Sequence, residues 1–103
     1  MTFRSRSLLD LAHTAPCFAD FEHACTAYQG CEPAHADSQI FGRGHGHKSP
    51  DCFFASLCRN AHAMLTASVG SGMDRDQKFF AWLRAYAKTQ EWLWKEKKLR
   101  VAA

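Results

Sequence analysis

The sequence predicts a small α+β domain: two short strands and a helix at its centre, a short helix before them and a longer one after. Three observations carry this. The run CFFASL at residues 52–57 is apolar, of strand length, and bounded by Pro50 on one side and the polar Cys58, Arg59 and Asn60 on the other. The stretch before it, GRGHGHKSPD, holds three glycines and reads as a connection. Near the C-terminus, apolar residues recur at intervals of three and four behind Asp74 and Gln77, a capping-box pair that starts a helix.

Length sets the scale. A chain of 103 residues forms one domain, spanning 1–103, with one core. Domains this small bury a lower share of their surface, so a structural metal or a partner subunit adds useful stability. An apolar content of 47%, with eight Phe and three Trp, excludes wholesale disorder.

Taken in order, residues 1–16 are an N-terminal helix and lead-in. Ser5 or Ser7 caps a helix carrying Leu8, Leu9, Leu11 and Ala12, which Pro16 ends, and which packs over the core. Residues 17–70 form a Cys/His core. Residues 17–24 alternate loosely around Phe18 and Phe21 and read as a short strand or an extended loop. Gly30 and Pro33 then make a turn that leads into AHADSQIF, residues 34–41, a short strand carrying His35. In the loop that follows, Arg43, His45, His47 and Lys48 either approach a phosphate backbone or are incidental charge on a connection. The 52–57 strand pairs with the His35 segment. Residues 59–68 carry Ala61, His62, Met64, Leu65 and Ala67 at helical spacings, and Gly70 and Gly72 mark the end of that helix. The last helix, within 73–98, runs to about Lys97. Its aromatic residues Trp82, Tyr86, Trp92 and Trp94 suit a core or the subunit interface of a homodimer.

Charge and cysteine usage narrow the class. The net charge is +3, and from Arg75 onward eight Lys or Arg face only Asp76, Glu91 and Glu96. That asymmetry permits phosphate contact, and equally describes the solvated face of a helix. No apolar run approaches the ~18 residues of a membrane span, and Asp10 and His13 interrupt the apolar stretch after Arg4 and Arg6, so neither a membrane location nor export is expected. In a reducing cytoplasm five cysteines are free thiols or metal ligands.

Thiols and imidazoles gathered between Cys17 and His62 share a reason if they hold zinc, which takes four such ligands in a tetrahedron. Cys17, Cys25 and Cys58 supply three. The fourth is Cys31 or His62, and Cys52, inside an apolar run, reads as a buried small hydrophobe. His35, flanked by Glu32 and Asp37, suits a general base, a metal ligand or a surface histidine. Strand with His35, Gly-rich connection, strand, and helix starting near His62 is the order of a ββα-metal finger. There a strand histidine deprotonates water, and donors on the helix hold a divalent ion against the phosphate. On this reading His35 and His62 are catalytic, and His62 with Asp51 or Asp37 contacts the ion.

The residues also carry a resemblance. SLLDLAH, APC, the spacing from Cys25 to His35, GRGHGHK, SPD at residues 49–51 and the unit from Cys58 to His62 resemble the YbcO-like family of lambdoid prophage proteins. That family is regarded as HNH-type endonucleases, and the likeness covers most of the chain. It implies an HNH-like ββα-metal core, structural zinc, catalytic magnesium or manganese, DNA as partner, and residence in the cytoplasm of a bacterial host. The family pattern C-x2-C-H-x3-D is incomplete here, with Ala61 in place of the second Cys and Thr66 in place of the Asp. A zinc-stapled DNA- or protein-binding module that no longer cuts is therefore the alternative.

Overall fold

The computed structural model describes residues 2–43, 48–67 and 71–101. Helix α1 (Arg6–Asp10) is capped by the Ser5 hydroxyl, which accepts from the Leu8 amide, and continues as a 3₁₀ helix over Leu11–Thr14. Strands β1 (Glu32–His35) and β2 (Phe54–Leu57) pair antiparallel, helix α2 (Arg59–Thr66) follows directly, and helix α3 (Arg75–Lys95) closes the fold. Residues 17–24 take the irregular, extended form rather than a strand. The predicted strand over 34–41 is displaced: β1 lies two residues earlier, and Gln39–Phe41 turn as a 3₁₀ helix. Propensity did not register that Pro33 belongs to the strand.

The register explains why it does. Pro33 lies opposite Ser56, and Ser56 sends its amide and carbonyl away from β1. The amide donates to Thr89 Oγ1 at 2.9 Å, and the carbonyl accepts from the Phe18 amide at 3.1 Å. Position 33 therefore needs no N–H for the ladder, and proline is tolerated. Gly30 sets the approach to β1 with φ +91° and ψ 155°, a conformation essentially confined to glycine, and a Cβ there would meet the His13 carbonyl oxygen at 3.3 Å.

Helix α3 is anchored by the predicted capping box: the Asp74 carboxylate accepts from the Gln77 amide, and the Gln77 side chain accepts from the Asp74 amide, both at 2.8 Å. One face of α3 covers the sheet. Trp82 donates its indole N–H to the Ala34 carbonyl at 2.8 Å and stacks on Tyr86 at 5.1 Å, while Thr89 is fully buried. Trp92 packs partly buried at the N-terminal helix, whereas Trp94 and Phe80 are exposed. The N-terminal helix forms a second cluster, in which Leu8, Leu9 and Leu11 surround Ala12, Phe54 and Leu93.

The main core is built from small residues. Ala34, Ala36, Ala55, Ala61 and Ala85 join Cys31, Cys58, Leu57 and Trp82. Alanines bury little apolar area each, so this core contributes less than one of Leu and Ile would. A covalent or metal staple has correspondingly more to add. No helix among the described residues is long and apolar enough to cross a membrane.

Candidate metal centre and neighbouring cleft

The irregular segment after α1 and the start of α2 bring together Cys17, His23, Cys25 and Cys58, whose ligand atoms all lie within 4.8 Å of one another. A tetrahedral site with zinc–sulfur bonds of about 2.3 Å has sulfur–sulfur edges of about 3.8 Å, so side-chain shifts of an ångström or less close this quartet on an ion. The three-thiol, one-imidazole set is compatible with structural zinc. His23 is oriented for it. Its Nδ1–H donates to the Phe21 carbonyl at 2.7 Å, which turns Nε2 toward the Cys17 sulfur at 3.7 Å.

Neither predicted fourth ligand takes part. Cys31 is buried, at 2% exposure, beside the quartet, and its thiol is pushed up by burial and by the charges of Cys58 and Cys25. It fills core volume under β1. His62 is turned toward Glu32 instead, with Nδ1 at 2.6 Å from Oε1. Ala61, where the resemblance implies a cysteine, is fully buried in the main core, and its backbone amide donates to the Cys58 sulfur at 3.4 Å.

Within the quartet, Cys17 and Cys58 divide one charge. Burial raises the Cys17 thiol to about 11. Burial acts the same way on Cys58, but hydrogen bonds from Thr26, the Ala61 amide and Cys17 overcome it and bring that thiol down to about 6. Cys58 also caps α2, so its thiolate stands at a helix N-terminus. A thiolate already in place is the form a metal takes up.

A cleft of about 890 Å³ is lined by His35 and His62 together with residues of α2 and the start of α3. His35 Nε2 is 2.9 Å from Asp51 Oδ1. Asp51 is 5% exposed and holds three further bonds: Arg4 Nη1 at 3.1 Å, the Ser5 amide at 2.7 Å on Oδ2, and its own amide donating to the Phe3 carbonyl. Burial alone would raise its carboxyl, yet the bonds from His35, Ser5 and Arg4 outweigh that and hold it below the usual carboxylate range. An ionised Asp51 only accepts, so Nε2 of His35 carries a hydrogen and Nδ1 is the ring nitrogen left over.

Asp51 thus orients His35, and both of its carboxylate oxygens, predicted to contact an ion, accept hydrogen bonds here. Asp37 is exposed and pairs with Arg43 at 3.3 Å. Thr66 turns its hydroxyl back to the His62 and Ala63 carbonyls. Among the described residues no second group of three His, Cys, Asp or Glu donors gathers besides the quartet. Of the predicted nucleic-acid contacts, Arg43 and Lys48 flank the loop, with the Lys48 carbonyl taking Arg4 Nη2 at 3.2 Å; His45 and His47 lie outside the described residues.

Sequence reasoning missed His23, Arg4 and Ser5. The pair His23-x-Cys25 was the available signal for the first, since two donors one residue apart suit one ion. Nothing local marks the other two, because their partner is more than forty residues away in sequence. No protein-family model, curated protein or solved structure matches this chain.

Proposed function

We propose that this is a zinc-stapled nuclease domain of the HNH type that hydrolyses nucleic-acid phosphodiester bonds, with His35 as general base. The observation that carries the reading is the His35–Asp51 pair at 2.9 Å on the border of a cleft that also holds His62. A buried, ionised carboxylate fixes the imidazole so that one nitrogen is free to take a proton from an attacking nucleophile. The sequential β1, β2 and α2 support the ββα-metal reading, and the quartet behind them supports zinc as a staple. DNA is the substrate that the YbcO-like resemblance implies. Exposed Phe80 and Trp94 support a homodimer through α3.

Plasmid nicking with purified, zinc-containing protein tests this, with magnesium and manganese supplied because the resemblance implies one of them. His35→Ala is expected to lower the rate by about 10²- to 10⁴-fold with zinc content unchanged. Intact supercoiled and single-stranded DNA in the presence of the unmutated protein, or cleavage by His35→Ala at the full rate, refutes the hydrolase reading.

The second reading is a binding module that no longer cuts. Thr66 favours it, since the position implied to be acidic carries a hydroxyl bonded to its own helix. Such a module binds DNA with affinity that falls by about 0.9 log units per phosphate contact for each tenfold rise in salt, and shows no turnover.

A further inference from the structure

A second carboxylate–imidazole pair reaches the cleft through its histidine. Glu32, at the start of β1, and His62, on α2, meet at 2.6 Å, and His62 lines the same cleft as His35. Each carboxylate takes one ring nitrogen of its histidine. Asp51 holds Nε2 of His35 and leaves Nδ1, whereas Glu32 holds Nδ1 of His62 and leaves Nε2.

The two pairs differ in what else holds the carboxylate. The Asp51 carboxylate is also bound by Arg4 and the Ser5 amide. Glu32, among the described residues, meets His62 alone. Two imidazoles, each steadied by a carboxylate and each with one ring nitrogen to spare, thus line one cleft. The cleft's other ionisable groups are engaged or peripheral: Asp37 pairs with Arg43, Asp74 caps α3, Lys78 bonds the Ala67 carbonyl, and Arg75 and Asp76 begin α3.

We infer that the cleft is a two-histidine acid–base site that cleaves RNA by transesterification, with no divalent ion in the cleft. The inference rests on the phosphodiesterase reading above and assigns it a substrate class, strands that carry a 2′-hydroxyl. His35 Nδ1 takes the 2′-hydroxyl proton as that oxygen bonds to phosphorus. The bond from phosphorus to the 5′-oxygen breaks, and the leaving oxygen takes the proton of His62 Nε2. The products are a 2′,3′-cyclic phosphate and a 5′-hydroxyl, and the two imidazoles end with their proton states exchanged. The cleft's lack of a three-donor ion site then costs the reaction nothing, because the nucleophile is supplied by the substrate and both proton transfers by the protein.

The test uses full-length protein, desalted without magnesium or manganese and verified to hold one zinc, on a DNA strand containing a single ribouridine. Cleavage at the ribonucleotide with a 2′,3′-cyclic phosphate on the product is expected, and His35→Ala and His62→Ala are each expected to slow it by about 10²-fold or more. A uridine 3′-phosphodiester with a p-nitrophenyl leaving group separates the roles, since nitrophenolate leaves without protonation. There His62→Ala is expected to react within about threefold of the unmutated protein while His35→Ala stays impaired; Glu32→Gln, which keeps the fold's hydrogen bond, should follow His62→Ala on both substrates. An uncut ribouridine strand, a product bearing a 3′-hydroxyl, or a His62→Ala defect equal on both substrates overturns the inference. His35-dependent nicking of DNA with magnesium or manganese, alongside an uncut ribouridine strand, sinks this inference and keeps the nuclease reading. No cleavage of either substrate sinks both.

Discussion

Replacing His23 by alanine separates the quartet observed here from the ligand sets that residue spacing alone proposes. If free zinc stands a thousandfold above its dissociation constant, the bound ion contributes about 4.1 kcal/mol to folding. Each kcal/mol shifts the melting temperature of a domain near this size by about 4–8 °C, so a strong chelator should lower it by about 15–30 °C. His23 supplies one of four donors, held in place by its bond to the Phe21 carbonyl at 2.7 Å. Losing an outer-shell partner alone weakens metal sites by up to about a hundredfold, and losing the ligand should cost at least that. At fixed free zinc this is about 2.7 kcal/mol, or about 10–20 °C. Cys31→Ala is the matched control: its sulfur lies outside the quartet, so zinc should remain at one per chain and stability should fall by about 1 kcal/mol for one small buried group. Elemental analysis and thermal melts with competing chelator read both. The reasoning is refuted if Cys31→Ala loses zinc while His23→Ala keeps it, or if the unmutated protein melts at the same temperature with and without chelator.

Three further outcomes follow from single contacts. Thr89→Val keeps volume but strips the buried Ser56 amide of its 2.9 Å acceptor, and chemical denaturation should show a loss of about 1–3 kcal/mol. Lys97→Gly should raise stability by about 1 kcal/mol, because Lys97 sits at φ +58° where its amide meets the Trp94 carbonyl and the next amide meets Leu93, a helix-ending motif that glycine adopts without strain; a lower melting temperature would contradict it. Asp51 has a folded pKa below its unfolded value near 3.9, so its contribution is complete above about pH 4 and disappears as pH falls through the lower folded value; Asp51→Asn should flatten that part of the acid-unfolding curve, and an unchanged curve would mean that its bonds to His35, Ser5 and Arg4 do not discriminate charge.

The parts of the fold that could be read from sequence are those whose cause is local. A capping box is two residues three apart, and Asp74 and Gln77 declare it; helical periodicity behind it places Trp82, Tyr86 and Leu93 on the packed side. The 52–57 run is apolar because β2 within it is buried at every position. Strand β1 was misplaced because nothing in GCEPAHAD marks a strand. It is one only because β2 offers a register in which Pro33 owes no hydrogen bond, and that depends on Thr89 and Phe18, which lie far away in the chain.

The same division between local and distant causes runs through the site. Cys17, Cys25 and Cys58 are conspicuous because thiols are few, whereas His23 competes with five other histidines for notice and is singled out by geometry alone. With His23 in the quartet, His62 is no longer needed there, and the conflict in which one imidazole had to serve both zinc and the cleft disappears. Ala61 becomes intelligible in the same way. The quartet offers four donors without residue 61, which is buried in the core. Both cleft histidines are left to their carboxylates, so the quartet and the cleft draw on separate side chains. This makes the two separable by experiment: variants of Glu32, His35 or His62 should leave zinc content untouched, and His23→Ala should alter it first.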